Sequence, residues 1–503
     1  MPNPLFDTLF GRHAGRADPF LHLPGGGTLG YDAFLALSAR LAHAIEGAGL
    51  VRGDRLAAQV AKSPEALALY AACMRTGVVF LPLNTAYTTA EMRYFVEDSG
   101  ARLVVCDPAD AEALHPVATG CGARLLTLDA AGGGTLAELA RDTPEDHEVA
   151  DRQGSDLAAL LYTSGTTGRS KGAMLSQDNL LSNAAALVDL WRFTEDDVLI
   201  HALPIFHTHG LFVATNVMLS AGGSMIFQPK LDIDALIAAL PRATALMGVP
   251  TFYTRLLDDP RLDRDLVANM RLFVSGSAPL LEETHRRFEE RTGHRILERY
   301  GMTETNMSTS NPYEGERRAG TVGFPLPGVE VRVRDAETGA DLAPGEIGVL
   351  EVRGPNVFQG YWQMPEKTAA ELRADGFFIT GDLARRDADG YVQIVGRGKD
   401  LIISGGYNIY PKEVEALLDD QPGVLESAVI GVPHPDLGET PVAVLVPERG
   451  AEIDLDAVRV AVDAALARFK HPREIVVAPE LPRNTMGKVQ KAVLRERFGG
   501  LFV

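Results

Sequence analysis

The stretch LYTSGTTGRSKGAML, residues 161–175, sets Thr163, Ser164, Gly165, Thr166, Thr167, Gly168, Ser170 and Lys171 between two apolar ends. AALLYT ahead of it fits a buried strand, and SGTTGRSKG fits a turn rich in backbone N–H groups and hydroxyls. Glycine lets the backbone approach a bulky anion, successive N–H groups cradle phosphate oxygens, and Lys171 adds a point charge. The spacing is not that of a Walker loop. Gly165 is followed by Thr-Thr-Gly-Arg-Ser-Lys-Gly, and Gly172 stands where a magnesium-binding hydroxyl would be, which disfavours a P-loop NTPase. A flexible surface loop has the same composition, so the phosphate reading depends on what accompanies it.

Three further segments accompany it. YGMTET, residues 300–305, joins Thr303 to Glu304: a hydroxyl for a phosphate and a carboxylate for a hard cation such as magnesium. Alone, that pair reads as a capped helix start. TGDLARRD puts Asp382 after a strand, suited to ribose hydroxyls, although alone it is a turn residue. PRNTMGKVQK exposes Lys488 just after a glycine turn, where a solvent-facing lysine is the ordinary outcome.

These groups need a scaffold. At 503 residues the chain exceeds what one core covers, so two or more domains are expected. YDAFLALSARLAHAIEGAGL has apolar residues at helical spacing. SPEALALYAACMRTG reads as a helix capped by Ser63 and stopped by Gly77. DRLAAQV, ARLVVCD, ATALMGV and MRLFVSGSA read as strands, with PTFYTRLLDDP a helix between the last two. Strands alternating with helices predict an α/β fold with largely parallel sheets. After about residue 320 short alternating runs predict a β-rich subdomain, and the last hundred residues a small α+β domain. The seam is expected at GRGKD, giving domains 1–398 and 399–503.

A net charge of −19 argues against general nucleic-acid or anionic-membrane binding. Cys73, Cys106 and Cys121 are too few and too unpatterned for a disulfide framework or zinc site, so a reducing, cytoplasmic setting is expected. No apolar run reaches membrane-span length. The N-terminus carries acidic residues and no apolar signal core; its LFDTLF reads as a short amphipathic helix, and its arginines leave a transit-peptide reading open.

In this order, YTSGTTGRSKGAMLS, LPIFHTHGL, SGSAPL, YGMTET, TGDLARRDADGYVQIVGRGKDLIISGGYNIYPKEVE and LPRNTMGKV resemble the adenylate-forming superfamily of acyl-CoA synthetases, luciferases and nonribosomal peptide adenylation domains. The resemblance implies a carboxylate joined to AMP from Mg-ATP, then attack by a thiol. It implies that Thr163, Ser164, Gly165, Thr166, Thr167 and Gly168, with Lys171, hold phosphates. Thr303 would touch the α-phosphate, Glu304 bind magnesium, and Gly276, Ser277, Ala278, Arg299, Tyr300 and Gly301 flank the adenine. Asp382 and Arg397 would hold the ribose, and Lys488 would bridge carboxylate and α-phosphate. His207 resembles the family's gate toward the thiol tunnel, although beside Phe206 it also reads as a satisfied core histidine. The small domain would rotate about Lys399, bringing Gly405 and Gly406 to the pantetheine arm. With little chain after Lys488, coenzyme A is the expected acceptor rather than a fused carrier. The setting of Lys488 also resembles sites acetylated in related synthetases, which implies a lysine acetyltransferase as a partner.

The acid pocket is expected from HTHGLF, the segment after GVPTFYTR, and SGSAPL through MTETNMSTS, with Ser277 among its residues. Arg255 lies at i+4 from Thr251, and a guanidinium there would suit a second carboxylate; Arg286 is the other candidate. Either reads equally as a surface arginine paired to a neighbouring acid. The whole set is similar to the malonyl-CoA synthetases, with Thr208 and Met307 shaping a short pocket for malonate or methylmalonate. A medium-chain or aryl acid–CoA ligase, or a catalytically silent nucleotide sensor, are the alternatives.

Overall fold

The computed structural model of the chain describes residues 2–163, 170–404, 407–484 and 487–502. Local sequence sets many elements directly. Ser63 Oγ accepts the Ala66 N–H at 3.0 Å, the helix runs Pro64–Thr76, and Gly77 ends it in the left-handed region at φ 74°. The amphipathic stretch forms the helix Tyr31–Gly47, and LFDTLF falls in the short helix Pro4–Leu9. The predicted strands appear as Arg55–Gln59, Leu103–Cys106, Ala245–Gly248 and Leu272–Ser275, buried along nearly their whole length. Such continuous burial is what parallel strands covered by helices require.

The expected α/β architecture is present. A six-stranded sheet is ordered Arg124–Thr127, Leu103–Cys106, Arg55–Gln59, Val79–Pro82, Leu157–Thr163, Lys171–Ser176; only its last pair is antiparallel. A nine-stranded sheet has a parallel centre that includes, in spatial order, Leu297–Met302, Leu272–Ser275, Ala245–Gly248 and Val198–His201. One apolar core runs through both sheets and their helices. The β-rich subdomain is an antiparallel sheet of Glu330–Arg334, Gly348–Arg353, Phe378–Arg386 and Val392–Arg397.

From Ile402 onward a separate five-stranded sheet is built around the long hairpin of Val424–His434 and Gly438–Pro447. It has its own apolar clusters, one centred on Val429 and Leu445 and another on Ile430 and Val444. Alternate residues of the hairpin feed opposite faces, so both sides of this small sheet are covered. The three cysteines are free. Among the described residues no helix is long and apolar enough to cross a membrane.

Candidate active site

Neighbouring parallel strands of the nine-stranded sheet end on the same side, and the residues just past those ends converge there. After Val198–His201 the chain passes through His207 and Thr208 into a wide turn of π-helical pitch, His209–Thr215. After Leu272–Ser275 come Gly276 and Ser277, and Arg299 lies on Leu297–Met302. Ser277 holds φ 72°, a strained value for a residue with a Cβ. That conformation brings its hydroxyl to His209 Nδ1 at 3.2 Å.

Arg299 is 3 % exposed, and a Cβ added at Gly276 would collide with its guanidinium, so glycine is what makes room for it. Its Nε and Nη2 find no partner among the described residues, and neither do His207 Nε2, Thr208 Oγ1, His209 Nε2 or Ser275 Oγ. Glu298 does not fill the gap. Adjacent residues of a strand face opposite sides, and the Glu298 carboxylate instead accepts the Leu280 N–H at 3.2 Å. Burial lowers the Arg299 pKa to about 9. Burial, and then the neighbouring Arg299 charge, holds His209 well below its ordinary value. Burial, and then Lys488, lowers His207 to about 4. The cluster therefore combines neutral imidazoles with one guanidinium that has no counter-charge among the described residues. An uncompensated buried charge costs several kcal/mol, so the cavity is suited to an anion.

The other side of the cleft has its partners already. Asp382 and Arg397 stand directly opposite each other in the antiparallel ladder, and Arg397 Nε meets Asp382 Oδ1 at 2.6 Å. The Tyr300 phenol donates to the second carboxylate oxygen. Burial raises the Asp382 pKa while Arg397 opposes the rise. Asp382 lies inside the strand Phe378–Arg386 rather than after it, which corrects the sequence expectation; the strand continues because the ladder to Val392–Arg397 pins it beyond the glycine.

Thr303 and Glu304 likewise do not open a helix. They occupy the turn between the antiparallel strands Leu297–Met302 and Asn306–Ser310. Glu304 is 4 % exposed, and the Tyr361 hydroxyl lies 3.0 Å from its Oε1 and 2.7 Å from Glu371 Oε2. Lys171 sits 3.6 Å from Glu371 and 4.2 Å over the Tyr361 ring. Burial raises Glu304. A desolvated carboxylate fits a hard cation. Among the described residues no group of three or more His, Cys, Asp or Glu could hold a metal ion.

Lys488 arrives from the small domain. Its N–H donates to Asn484 Oδ1 at 2.9 Å, and the preceding Gly487, at φ 73°, packs beside Thr251 of the large domain. The residue keeps exposed surface, yet its ammonium end is crowded. Burial and then Arg397 lower its pKa, while Asp382 and Glu304 raise it. Thr303 and His207 line one cavity with Asn84, Tyr87 and Phe206.

Some expected residues lie elsewhere. Arg255 and Arg286 are exposed, and Arg286 pairs with Glu283. The helix Pro250–Asp258 buries Phe252, Tyr253, Leu256 and Leu257, and that apolar face turns Arg255 outward. Neither arginine is among the residues that line the cavity of Thr303 and His207. Met307 is buried in the apolar core against Gly301, while Ala278 is half-buried at the 276–278 turn. Thr163 ends its strand opposite Lys171. Ser164, Gly165, Thr166, Thr167, Gly168, Gly405 and Gly406 lie outside the described residues. Lys399 sits in the short helical turn Gly398–Asp400, between the antiparallel sheet and the small domain. Sequence reasoning missed Tyr361, Glu371 and His209 as individual residues. The doublet of histidines in HTHG was the one signal available for the last.

The AMP-binding enzyme family model matches residues 12–362, and that family's C-terminal domain model matches residues 413–488. A feruloyl-CoA synthase of Amycolatopsis sp is 38 % identical over 94 % of this chain and 95 % of its own length. A malonate–CoA ligase of Arabidopsis thaliana is 34 % identical over 90 % and 79 %. ATP-bound MatB from Rhodopseudomonas palustris is 56 % identical over the whole of both chains with a TM-score of 0.98, whereas the apo form of that protein scores 0.87. The chain belongs to the AMP-binding enzyme family, and it is an AMP-forming acyl-CoA synthetase that uses ATP, magnesium and coenzyme A.

Proposed function

We propose that the protein is a malonate–CoA ligase, converting malonate, ATP and coenzyme A to malonyl-CoA, AMP and pyrophosphate through malonyl-adenylate. The observation that carries this reading is Arg299: a buried guanidinium with Nε and Nη2 unpartnered, beside Ser277 and His209. A monocarboxylate or aryl acid would leave that charge bare in the interior. A second carboxylate would supply paired acceptors for its N–H groups. This reassigns the dicarboxylate role from Arg255 and Arg286 to Arg299, and moves Arg299 away from the adenine. Thr208 and Met307, both buried, bound the pocket and favour a short acid such as malonate or methylmalonate.

In this reading the reacting carboxylate oxygen attacks the α-phosphorus and pyrophosphate leaves. Lys488 neutralises charge on the α-phosphate and carboxylate, and Thr303 donates its hydroxyl beside it. Glu304 would hold magnesium, which would supply shielding of the phosphate charge; Tyr361 orients that carboxylate. Thr163 and Lys171, with residues 164–168, take the β- and γ-phosphates. Asp382 and Arg397 take the ribose, and Tyr300 with the 276–278 turn flanks the adenine. The thiol then attacks the acyl carbon, the C–S bond forms, and the bond to AMP breaks. His207, neutral at physiological pH, serves as the gate between the two. The greater likeness to the ATP-bound than to the apo neighbour supports an adenylating arrangement of the domains. Rotation about Lys399, between domains 1–398 and 399–503, then withdraws Lys488 and admits Gly405 and Gly406.

The test is a panel of malonate, methylmalonate, propionate, octanoate and ferulate with Mg-ATP and coenzyme A, read by hydroxamate trapping. Malonate is expected to exceed propionate by about 10² or more in kcat/KM, because a site built for a polar group rejects the analogue that lacks it. Propionate, octanoate or ferulate outrunning malonate overturns the assignment.

A further inference from the structure

The turn that carries His207, Thr208 and His209 is gripped from beneath by two residues from different sheets. Lys62 follows the strand Arg55–Gln59 of the six-stranded sheet, and His201 ends Val198–His201 of the nine-stranded one. Lys62 Nζ donates to His201 Nδ1 at 2.8 Å and to the His201 carbonyl at 2.7 Å. With Nδ1 accepting, the imidazole proton resides on Nε2. Nε2 lies 2.8 Å from the Gly210 carbonyl, and the Thr215 hydroxyl donates to that same carbonyl at 3.0 Å. Gly210 has no slack, since a Cβ there would collide with the Pro204 carbonyl oxygen. Two side-chain donors thus converge on one peptide oxygen at the start of the π-helical turn His209–Thr215.

A π turn is an uncommon, wide conformation that proteins keep at functional sites. Relaxation to the narrower α pitch would swing Thr208 and His209 out of register with Ser277. Desolvating a lysine works against stability, and burial lowers Lys62 well below its ordinary value. A methionine of similar length would spare that desolvation but leave His201 Nδ1 without its donor, so the particular contribution of the lysine is to fix the imidazole tautomer.

We propose that Lys62 and His201 are positioning residues for the acid pocket. Through the Gly210 carbonyl they keep the turn wide, hold His209 at Ser277 and Arg299, and set the preference for a second carboxylate. This rests on the malonate reading above.

The test measures acid-dependent exchange of labelled pyrophosphate into ATP, with malonate and with propionate, on the full chain. Lys62→Met is expected to raise KM for malonate about tenfold while KM for Mg-ATP stays within about twofold. Exchange with propionate, which meets Thr208 but has no second carboxylate for Arg299, is expected to change by no more than about twofold, so the preference for malonate falls about fivefold or more. His201→Gln, whose amide N–H can replace Nε2–H, is expected to keep the preference within about threefold, whereas His201→Asn behaves like Lys62→Met. The His201 pair also decides the matter if Lys62→Met does not fold. An unchanged malonate KM in Lys62→Met, equal losses toward malonate and Mg-ATP, or identical behaviour of the two His201 variants overturns the positioning role. A wild-type chain that exchanges with propionate but not malonate overturns the parent reading instead, and this one with it.

Discussion

The two ends of the cleft are built on opposite principles. At the nucleotide end Asp382, Arg397 and Tyr300 satisfy one another, as do Glu371, Tyr361 and Lys171. At the acid end Arg299, Thr208, His209 and Ser275 hold buried donors and acceptors with no partner among the described residues. A pre-paired site is rigid before its ligand arrives and must exchange one set of bonds for another. An unpaired site is destabilised until filled, so it discriminates by what can fill it. In the proposed reading, recognition of ATP belongs to the first kind and choice of acid to the second.

Lys488 lies between both ends, so its loss should matter most. Lys488→Ala is expected to lower malonyl-adenylate formation about 10³-fold, while supplied malonyl-adenylate is still converted to thioester. Equal loss of both half-reactions would show that the lysine does not divide them. Arg299→Met sharpens the contrast within the large domain. Leaving a bound carboxylate without its guanidinium costs about 2–4 kcal/mol, so kcat/KM for malonate should fall about 10²-fold or more, with Mg-ATP affinity nearly unchanged. A parallel weakening of Mg-ATP would return Arg299 to the adenine side.

A smaller effect concerns stability. Burial raises Glu298 from 4.5 to about 8, with Lys412 opposing. A carboxyl that is protonated when folded and ionised when unfolded binds more protons in the folded state across that interval. Stability conferred by the neutral form is therefore full below about pH 4.5 and lost as pH climbs through about 8. Glu298→Gln should flatten that decline and raise the melting temperature at about pH 8 by about 2 °C or more. A slope identical to wild type would mean that another group titrates. The smallest effect is expected from Arg255→Ala and Arg286→Ala, each leaving malonate KM within about twofold because both side chains face solvent. A tenfold rise in either would break the picture of an acid end confined to the large-domain interior.

Much of the fold was legible because it depends on neighbours along the chain. Ser63 and Gly77 bracket their helix by capping and left-handed geometry that any reader of the sequence can anticipate. LAALLYT is apolar enough to be a strand wherever it lies. Segments named from the sequence come together at the cleft, but spacing along the chain does not give the orientation of a helix. Arg255 shares a helical stripe with Thr251, but Phe252, Tyr253, Leu256 and Leu257 decide which way that helix turns. Thr303 and Glu304 carry the signature of a capped helix start, and the pairing of Leu297–Met302 with Asn306–Ser310 overrides it. Lys62 and His201 are 139 residues apart, and nothing in either segment announces the other.

By itself, the sequence determined which residue types are available and where many helices and strands begin. Those are properties of composition and short-range spacing. Tertiary structure alone decided that Asp382 faces Arg397, that Glu298 turns away from Arg299, and that the buried guanidinium finds no partner for Nε and Nη2 among the described residues. The reason is that a side chain's charge balance is set by whichever distant atoms share its low-dielectric surroundings, and packing, not proximity in sequence, selects them.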